Sequence, residues 1–291
     1  MANLDIIFNN TGYLYSCTII LGLLIGSFLN VVIYRLPKML EQDWKHQCSI
    51  LLEQEKLESE LNNAEKITLS KPDSTCPKCQ HKIKPWENIP VLSFLFLGGK
   101  CSQCKNKISM RYPLVEIATS ILSLIVIMTF GATYAGLSAL FLTWVLIALT
   151  LIDTDTQLLP DDMTLPLLWA GLILNSFNIF TTLESALWGA VCGYLSLWFV
   201  YQLFKLLTGK EGMGYGDFKL LGALGAWLGW EQLPIIILLS SVVGAIIGIA
   251  MILIKGRDKN IPIPFGPYLA IAGWISLIWG EDLFQLWMKT V

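Results

Sequence analysis

Long stretches almost without charged residues recur along the chain, and they constrain its fold more than any other feature. They cover residues 13–34, 113–130, 135–152, 163–180, 185–204, 220–230, 233–254 and 265–279. A helix needs about 17 to 25 mainly apolar residues to cross a bilayer, and most of these runs are that long. Charged residues make up only 14% of the chain, whereas ordinary soluble domains have about 25%. We therefore predict an all-α, polytopic membrane protein with about eight transmembrane helices.

Basic residues between the runs indicate the orientation. The run at 220–230 is short, so it either crosses or folds back into the membrane. If all eight runs cross, every Lys and Arg except Lys289 lies on one side; if the short run folds back, Lys255, Arg257 and Lys259 move to the other side. Cytoplasmic loops carry the excess of basic residues. The pattern thus favours eight crossings of the cell inner membrane, with both termini periplasmic.

One polar insert interrupts this apolar chain. Residues 35–112 hold 13 of the 20 Lys and Arg residues and 9 of the 22 Asp and Glu residues. We predict three parts: a first transmembrane helix in residues 1–34, a cytoplasmic insert in 35–112 and a seven-helix membrane domain in 113–291.

Four cysteines in the insert form two Cys-x2-Cys pairs. Cys76 and Cys79 make the first pair, and Cys101 and Cys104 the second. Two such pairs can place four thiolates around one Zn²⁺, and a site closed by four sulfurs is structural rather than catalytic. Disulfides are not expected in the reducing cytoplasm. The spacing predicts a zinc-ribbon-like insert that binds one zinc ion per chain.

Two aspartates lie at the cytoplasmic edge of the predicted membrane domain. Asp153 ends the third run, and Asp217 opens the sixth in Gly214-Tyr-Gly-Asp217. Charged side chains at the membrane are costly and indicate function, and two adjacent carboxylates can divide the acid and base roles of peptide hydrolysis. Gly214 and Gly216 are predicted to allow positive φ and close approach of another segment. Asp155 and Asp162 are interpreted as helix-end or loop charges.

Several motifs, in order along nearly the whole chain, resemble those of the type IV prepilin peptidases. They are Gly26-Ser-Phe-Leu-Asn-Val-Val-Ile-Tyr-Arg-Leu-Pro37, the two Cys-x2-Cys pairs, Glu87-Asn-Ile-Pro-Val-Leu-Ser93, Arg111-Tyr-Pro113 with Glu116, Leu158-Leu-Pro-Asp161, Gly214-Tyr-Gly-Asp217 and Pro264-Phe-Gly-Pro-Tyr268. This family comprises the bifunctional leader peptidases and N-methyltransferases of type IV pilus and type II secretion systems.

The resemblance implies an aspartic protease of the Gly-x-Gly-Asp type, with Asp153 and Asp217 as its catalytic pair. It also implies prepilin and pseudopilin substrates with short basic leaders, followed by methylation of the new N-terminal residue, usually Phe, from S-adenosylmethionine. Gly99 matches a glycine associated with methylation. Gly98 stands where the family usually has Arg, and residues 71–74 depart from its common Pro-Arg-Ser. Residues expected to support the active-site loop are Gly214, Gly216, Asp161 and Lys219.

Two other functions are compatible with parts of this pattern. The aspartates could relay protons or cations in a transporter whose zinc ribbon gates transport or docks a partner, although such transporters often have internal repeats and none is found. A nucleic-acid-binding membrane anchor is a third hypothesis. The insert lacks the strongly basic face which that function needs, so we expect membrane lipid and pilin precursors, and no nucleic acid, as partners.

Overall fold

The computed structural model describes residues 11–52, 67–210, 212–255 and 264–290. Within these residues the protein is helical, and its only extended pairings are two isolated β-bridges. The helices are α1 (Thr11–Leu51), α2 (Leu92–Phe96), α3 (Arg111–Phe130), α4 (Tyr134–Thr156), α5 (Asp161–Asn175), α6 (Leu183–Thr208), α7 (Tyr215–Leu228), α8 (Leu233–Lys255) and α9 (Gly266–Thr290). The prediction of an all-α protein is confirmed for this part of the chain.

Each predicted apolar run coincides with one of these helices. Among the described residues, five segments are long and apolar enough to cross a membrane: Thr11–Leu51, Arg111–Phe130, Tyr134–Thr156, Leu183–Thr208 and Trp230–Ala250. The protein is therefore a multi-pass membrane protein, while the total of eight crossings stays a prediction. Arg257, Lys259 and both chain ends, on which the predicted topology also depends, lie outside the described residues.

The first helix continues well past the apolar run that predicts it. It has 41 residues and contains Pro37, so its length is about 60 Å at about 1.5 Å per residue. The hydrocarbon core of a bilayer is only about 30 Å thick. The C-terminal half of α1 must therefore extend beyond the membrane.

The chain divides into two compact units, Met1–Ile127 and Met128–Val291. In the first unit, α1 and α3 approach closely at two glycines. A Cβ on Gly22 would lie 2.6 Å from Cα of Ser120, and one on Gly26 would lie 2.6 Å from Cα of Glu116. Small residues spaced by four allow such approach, and tight packing is what holds helices together in lipid.

The second unit is built around α7, which is buried along almost its whole length. Helices α5, α6 and α9 pack against it. Gly189 of α6 and Gly225 of α7 meet backbone to backbone, and a Cβ on Gly193 would lie 2.7 Å from the carbonyl oxygen of Leu221. Protein surrounds this helix, so its 14 residues do not need the length of a membrane span.

Side-chain hydrogen bonds tie the end of α7 to α5. Trp227 donates its indole N–H to the carbonyl of Leu167 at 2.8 Å. Asn175 donates to the carbonyls of Ala226 and Trp227 at 2.8 and 2.9 Å. The two Asn175 bonds satisfy backbone carbonyls at the buried C-terminus of α7, which water cannot reach. The opposite end of α7, which carries Asp217, is thereby held in position.

Candidate active site and metal centre

Asp153 lies in the last turn of α4 and is buried. The backbone N–H of Gly266, at the start of α9, donates to its carboxylate. Within the described residues its Oδ2 atom has no hydrogen-bonding partner. Buried carboxylate oxygens are normally paired, so this oxygen is available to water or a substrate.

Asp217 lies in the first turn of α7, where Gly214 is the N-cap residue. Its carboxylate accepts a hydrogen bond from the backbone N–H of Gly214. This is the acidic half of a capping box, in which the third helical residue reaches back to the N-cap. The helix thus starts at Tyr215, and its first turn fixes the direction of the Asp217 side chain.

The two glycines before Asp217 do not have the positive φ that we predict for them from the sequence. Gly214 has φ −80°, and neither Gly214 nor Gly216 is among the glycines with positive φ. The expectation of positive φ is therefore wrong, because the chain enters α7 through an extended N-cap that any residue can adopt. Close approach is the relevant property, since a Cβ on Gly216 would lie 2.6 Å from Cβ of Leu159.

Leu159 joins the three segments that form the candidate site. This buried residue precedes α5, contacts Gly216 beside Asp217, and lies 3.1 Å from the Cβ position of Gly266. Gly266 in turn contacts Asp153. The charge of Asp153 acts on Asp217, so the structure brings the two carboxylates into one electrostatic site.

Asp161 and Lys219 form an ion pair next to this site. Lys219 Nζ lies 2.6 and 2.7 Å from the two carboxylate oxygens of Asp161. Asp161 is in the first turn of α5 and Lys219 is two residues after Asp217. The pair joins the start of α5, just after Leu159, to the start of α7.

An aromatic cluster supports the other side of the first turn of α7. The rings of Tyr201, Tyr215 and Phe218 have centroids 5.4 to 5.6 Å apart. Phe218 and Tyr201 are buried, whereas Tyr215 is about half exposed. Because Tyr215 and Phe218 flank Asp217 in sequence, this packing restricts the backbone that carries the carboxylate.

Four sulfur atoms form a second candidate site, in the first unit. The Sγ atoms of the four predicted cysteine ligands all lie within 4.8 Å of one another. Cys76 and Cys104 are 3.7 Å apart, and Cys79 and Cys101 are 3.9 Å apart. A tetrahedral zinc site with Zn–S bonds of about 2.3 Å has sulfurs about 3.8 Å apart, whereas a disulfide needs about 2.05 Å. The residues fit zinc.

Backbone amide groups near the four sulfurs favour the thiolate form of Cys76. Amide groups of Cys79 and Lys78 lower the pKa of Cys76 to about 6. The amide of His81 acts in the same direction on Cys79, but burial and the neighbouring thiols raise the pKa of Cys79 to about 11. Several thiols packed this closely cannot all ionise without a cation, and Zn²⁺ would supply that charge.

His81 does not join the four sulfurs. Its Nε2 lies 3.2 Å from Oε2 of Glu87. The backbone N–H of Lys84, the side chain of Ser102 and His81 all bond to Glu87, and these contacts hold the pKa of the Glu87 carboxyl below its usual value. Both residues thus stabilise the fold between the two cysteine pairs.

Gly99 is at a position where a side chain would be strained and crowded. Its φ is +68°, and a Cβ there would lie 2.9 Å from Cζ of Phe94. Its N–H donates to the carbonyl of Phe94 at 2.8 Å. Gly98 also has positive φ, +60°, but no atom lies within 4 Å of its Cβ position. A side chain at Gly98 would thus have space but a strained backbone.

Sequence reasoning missed Gly266 and Leu159 as parts of the aspartate site. The only available signal was their position in the motifs 264–268 and 158–161, which carried the resemblance without an assigned role. Arg35, within the first of those motifs, donates from its guanidinium to the carbonyls of Thr68, Leu69 and Pro72. Arg35 thus anchors the loop before the first cysteine pair.

Comparison with known proteins gives consistent matches along the chain. Residues 20–130 match the Bacterial Peptidase A24 N-terminal domain, and residues 140–249 match the Type IV leader peptidase family. A Prepilin leader peptidase/N-methyltransferase of Pseudomonas aeruginosa is 58% identical over 94% of this chain and 93% of its own length. Relatives with the same name occur in Neisseria gonorrhoeae, 52% identical over 91% of each chain, and Legionella pneumophila, 46% identical over 96% of each. No solved structure matches.

Proposed function

The chain belongs to the type IV leader peptidase family, and from this premise we propose that it is a bifunctional membrane enzyme. Its first activity is to cleave the short basic leader from type IV prepilins and type II secretion pseudopilins. Its second is to methylate the new N-terminal residue, usually Phe, from S-adenosylmethionine. The names of relatives that match over nearly the whole chain support both activities.

The observation that supports peptide cleavage is the pair of buried carboxylates, Asp153 and Asp217, in one electrostatic site. In the proposed reaction one carboxylate takes a proton from water, and the oxygen of that water attacks the scissile carbonyl. The other aspartate, which starts as the protonated carboxylic acid, donates its proton to the leaving amine as the C–N bond breaks. The products are a carboxylic acid and an amine, and the first aspartate ends protonated while the second ends ionised.

The residues around the pair have positioning roles in this proposal. Gly214 and Gly266 direct the two carboxylates through their backbone N–H groups. Gly216 allows Leu159 to lie against the start of α7. Asp161 and Lys219 hold the starts of α5 and α7 together.

Methyl transfer is assigned to the insert, where Gly99 lies. In this step the N-terminal amine attacks the methyl carbon of S-adenosylmethionine, the S–C bond breaks, and the amine loses a proton. Cys76, Cys79, Cys101 and Cys104 would hold one structural zinc, which shapes the insert but has no open position for catalysis.

The proposed location is the cell inner membrane, with the active site facing the cytoplasm and both termini in the periplasm. The basic residues of the insert support this orientation. The leader of the substrate and S-adenosylmethionine are both expected on that side. The transporter alternative is not favoured, because the matching relatives are named as peptidases and methyltransferases.

The decisive experiment measures leader removal by the purified protein in liposomes. Asp153→Asn and Asp217→Asn should each lower the cleavage rate by at least about 10³-fold, because each removes one of two groups that act together. Asp162→Asn is the matched control, an exposed aspartate at the start of α5. Substantial cleavage by either active-site variant, with normal protein level and zinc content, would reject the assignment.

A further inference from the structure

A patch of large apolar side chains is exposed on the segment between the two cysteine pairs. Leu92, Leu95 and Phe96 lie at helical spacing on one face of α2 and are 52%, 66% and 88% exposed. Trp86, in the preceding 3₁₀ turn, is 64% exposed. We call these four residues the α2 patch. The function proposed above does not explain it.

The opposite side of α2 is firmly held. Phe94 packs over Gly99, and the backbone N–H of Gly99 donates to the carbonyl of Phe94. The face with Leu92, Leu95 and Phe96 therefore points away from the rest of its own segment. The three side chains on this face are exposed because the contacts between Phe94 and Gly99 hold the other side of α2 against the segment.

Glu116 of α3 determines how deep this segment lies. The backbone N–H of Val91, immediately before α2, donates to Oε2 of Glu116 at 2.8 Å. Val91 has φ +57°, a strained conformation for a β-branched residue. Ser27 of α1 also bonds to Glu116. The carboxylate thus ties the start of α2 to two membrane helices.

The position of Glu116 in α3 gives an approximate depth. It is five residues after Arg111, where this membrane-capable helix begins, so it lies about 7.5 Å along the helix at about 1.5 Å per residue. Amphipathic segments at a membrane surface bury their apolar face by about 5–10 Å, at the boundary of headgroups and acyl chains. On α3 itself the apolar residues Leu114, Ile117 and Ile121, around and beyond this level, are also exposed.

We propose that the α2 patch is inserted into the lipid bilayer at the headgroup–acyl boundary. It anchors the segment between the cysteine pairs, with its methylation-associated Gly99, against the membrane. Trp86 is placed as interfacial tryptophans usually are, with the Lys84 ammonium 5.3 Å from its ring and able to reach lipid phosphates. The occupant of the patch is phospholipid, not a protein.

Photocrosslinking of the full chain in phospholipid vesicles tests this assignment. Phe96→p-benzoylphenylalanine places a photoreactive ring at the most exposed residue of the patch, and the vesicles contain radiolabelled phosphatidylethanolamine and phosphatidylglycerol. Ile121→p-benzoylphenylalanine, on the exposed face of α3, is the positive control. Trp44→p-benzoylphenylalanine is the negative control, because Trp44 is an exposed aromatic residue in the part of α1 beyond its apolar run.

We expect the Phe96 probe to form lipid adducts at a yield similar to that of the Ile121 probe and at least fivefold above that of the Trp44 probe. A yield at the Trp44 level overturns the proposal, as does an adduct mainly with added prepilin or with another part of the chain. If the Phe96 variant fails to fold, judged by zinc content, the probe is placed at Leu95, with the same criteria.

A second pair of variants tests the tether. Glu116→Ala removes the acceptor for the Val91 N–H and should lower the lipid-adduct yield at Phe96 by at least threefold. Glu116→Gln retains a side-chain oxygen acceptor and should keep most of the yield. Equal yields in all three proteins would show that Glu116 does not position the patch.

Discussion

Gly266 lies directly against the carboxylate of Asp153: a Cβ on this glycine would be 2.6 Å from Oδ2 of the aspartate. Its backbone N–H also bonds to the same carboxylate. The start of α9 therefore both supports Asp153 and leaves no space for a side chain beside it. This contact makes α9 part of the candidate active site, although α9 carries neither aspartate.

Gly266→Ala should lower the rate constant for cleavage by about 10²-fold, because displacement of a catalytic group by about 1 Å has an effect of this size. KM should change little, since the added methyl group acts on the carboxylate. Steady-state kinetics with a prepilin peptide measure both constants. Gly244→Ala is the control, because the atom nearest to its Cβ position belongs to the side chain of Tyr268, at 3.1 Å; an equal loss in both variants would contradict the prediction.

The ion pair of Asp161 and Lys219 should matter more for cleavage than for stability. Lys219→Met is expected to reduce the cleavage rate about tenfold, equivalent to about 1.4 kcal/mol, because the starts of α5 and α7 are no longer joined. Asp161→Lys combined with Lys219→Asp should recover most of that loss.

The comparison pair for this experiment is Glu41 and Lys45, which are 2.7 Å apart on the surface of α1. Exposed pairs of this kind contribute about 0–1 kcal/mol, so Lys45→Met should leave cleavage unchanged. If the double variant with exchanged charges cleaves as slowly as Lys219→Met, an ion pair that joins the starts of α5 and α7 is not what the site requires.

The four-sulfur cluster predicts one zinc per chain. Elemental analysis of the purified protein should find this stoichiometry, and Cys76→Ser should abolish it, because three remaining thiolates leave the tetrahedral site open. Cys48→Ser changes an exposed cysteine outside the cluster and should retain the metal. Zinc-free wild-type protein would refute this prediction.

Gly99→Ala should abolish methyl transfer and leave leader cleavage within about twofold of wild type. The added methyl group would collide with Phe94 at a backbone conformation with φ +68°, which strains L-residues by about 1–2 kcal/mol. Transfer of label from S-adenosylmethionine to a mature pilin peptide measures the effect. Gly98→Ala imposes a similar conformational strain without the collision, and it should retain most methylation; matching losses would mean that backbone strain alone is responsible.

Much of this protein follows from local sequence. A run of apolar residues long enough to cross a membrane must form a helix, because backbone groups in lipid need hydrogen bonds within the segment. Two Cys-x2-Cys pairs similarly indicate their ligand set by spacing alone. The apolar runs and the cysteine cluster were therefore predictable, and the helices and the four-sulfur cluster are confirmed; the catalytic role of the two aspartates stays a prediction.

Tertiary structure alone decided which groups surround the aspartates. Sequence periodicity shows which side of a helix is apolar, but it does not show which distant segment covers that side. Leu159 reaches both Gly216 and Gly266, and Gly266 reaches Asp153, only because α9 packs against both α4 and α7. The residue types were readable from the chain, whereas their contacts required the close, glycine-dependent packing of separate helices.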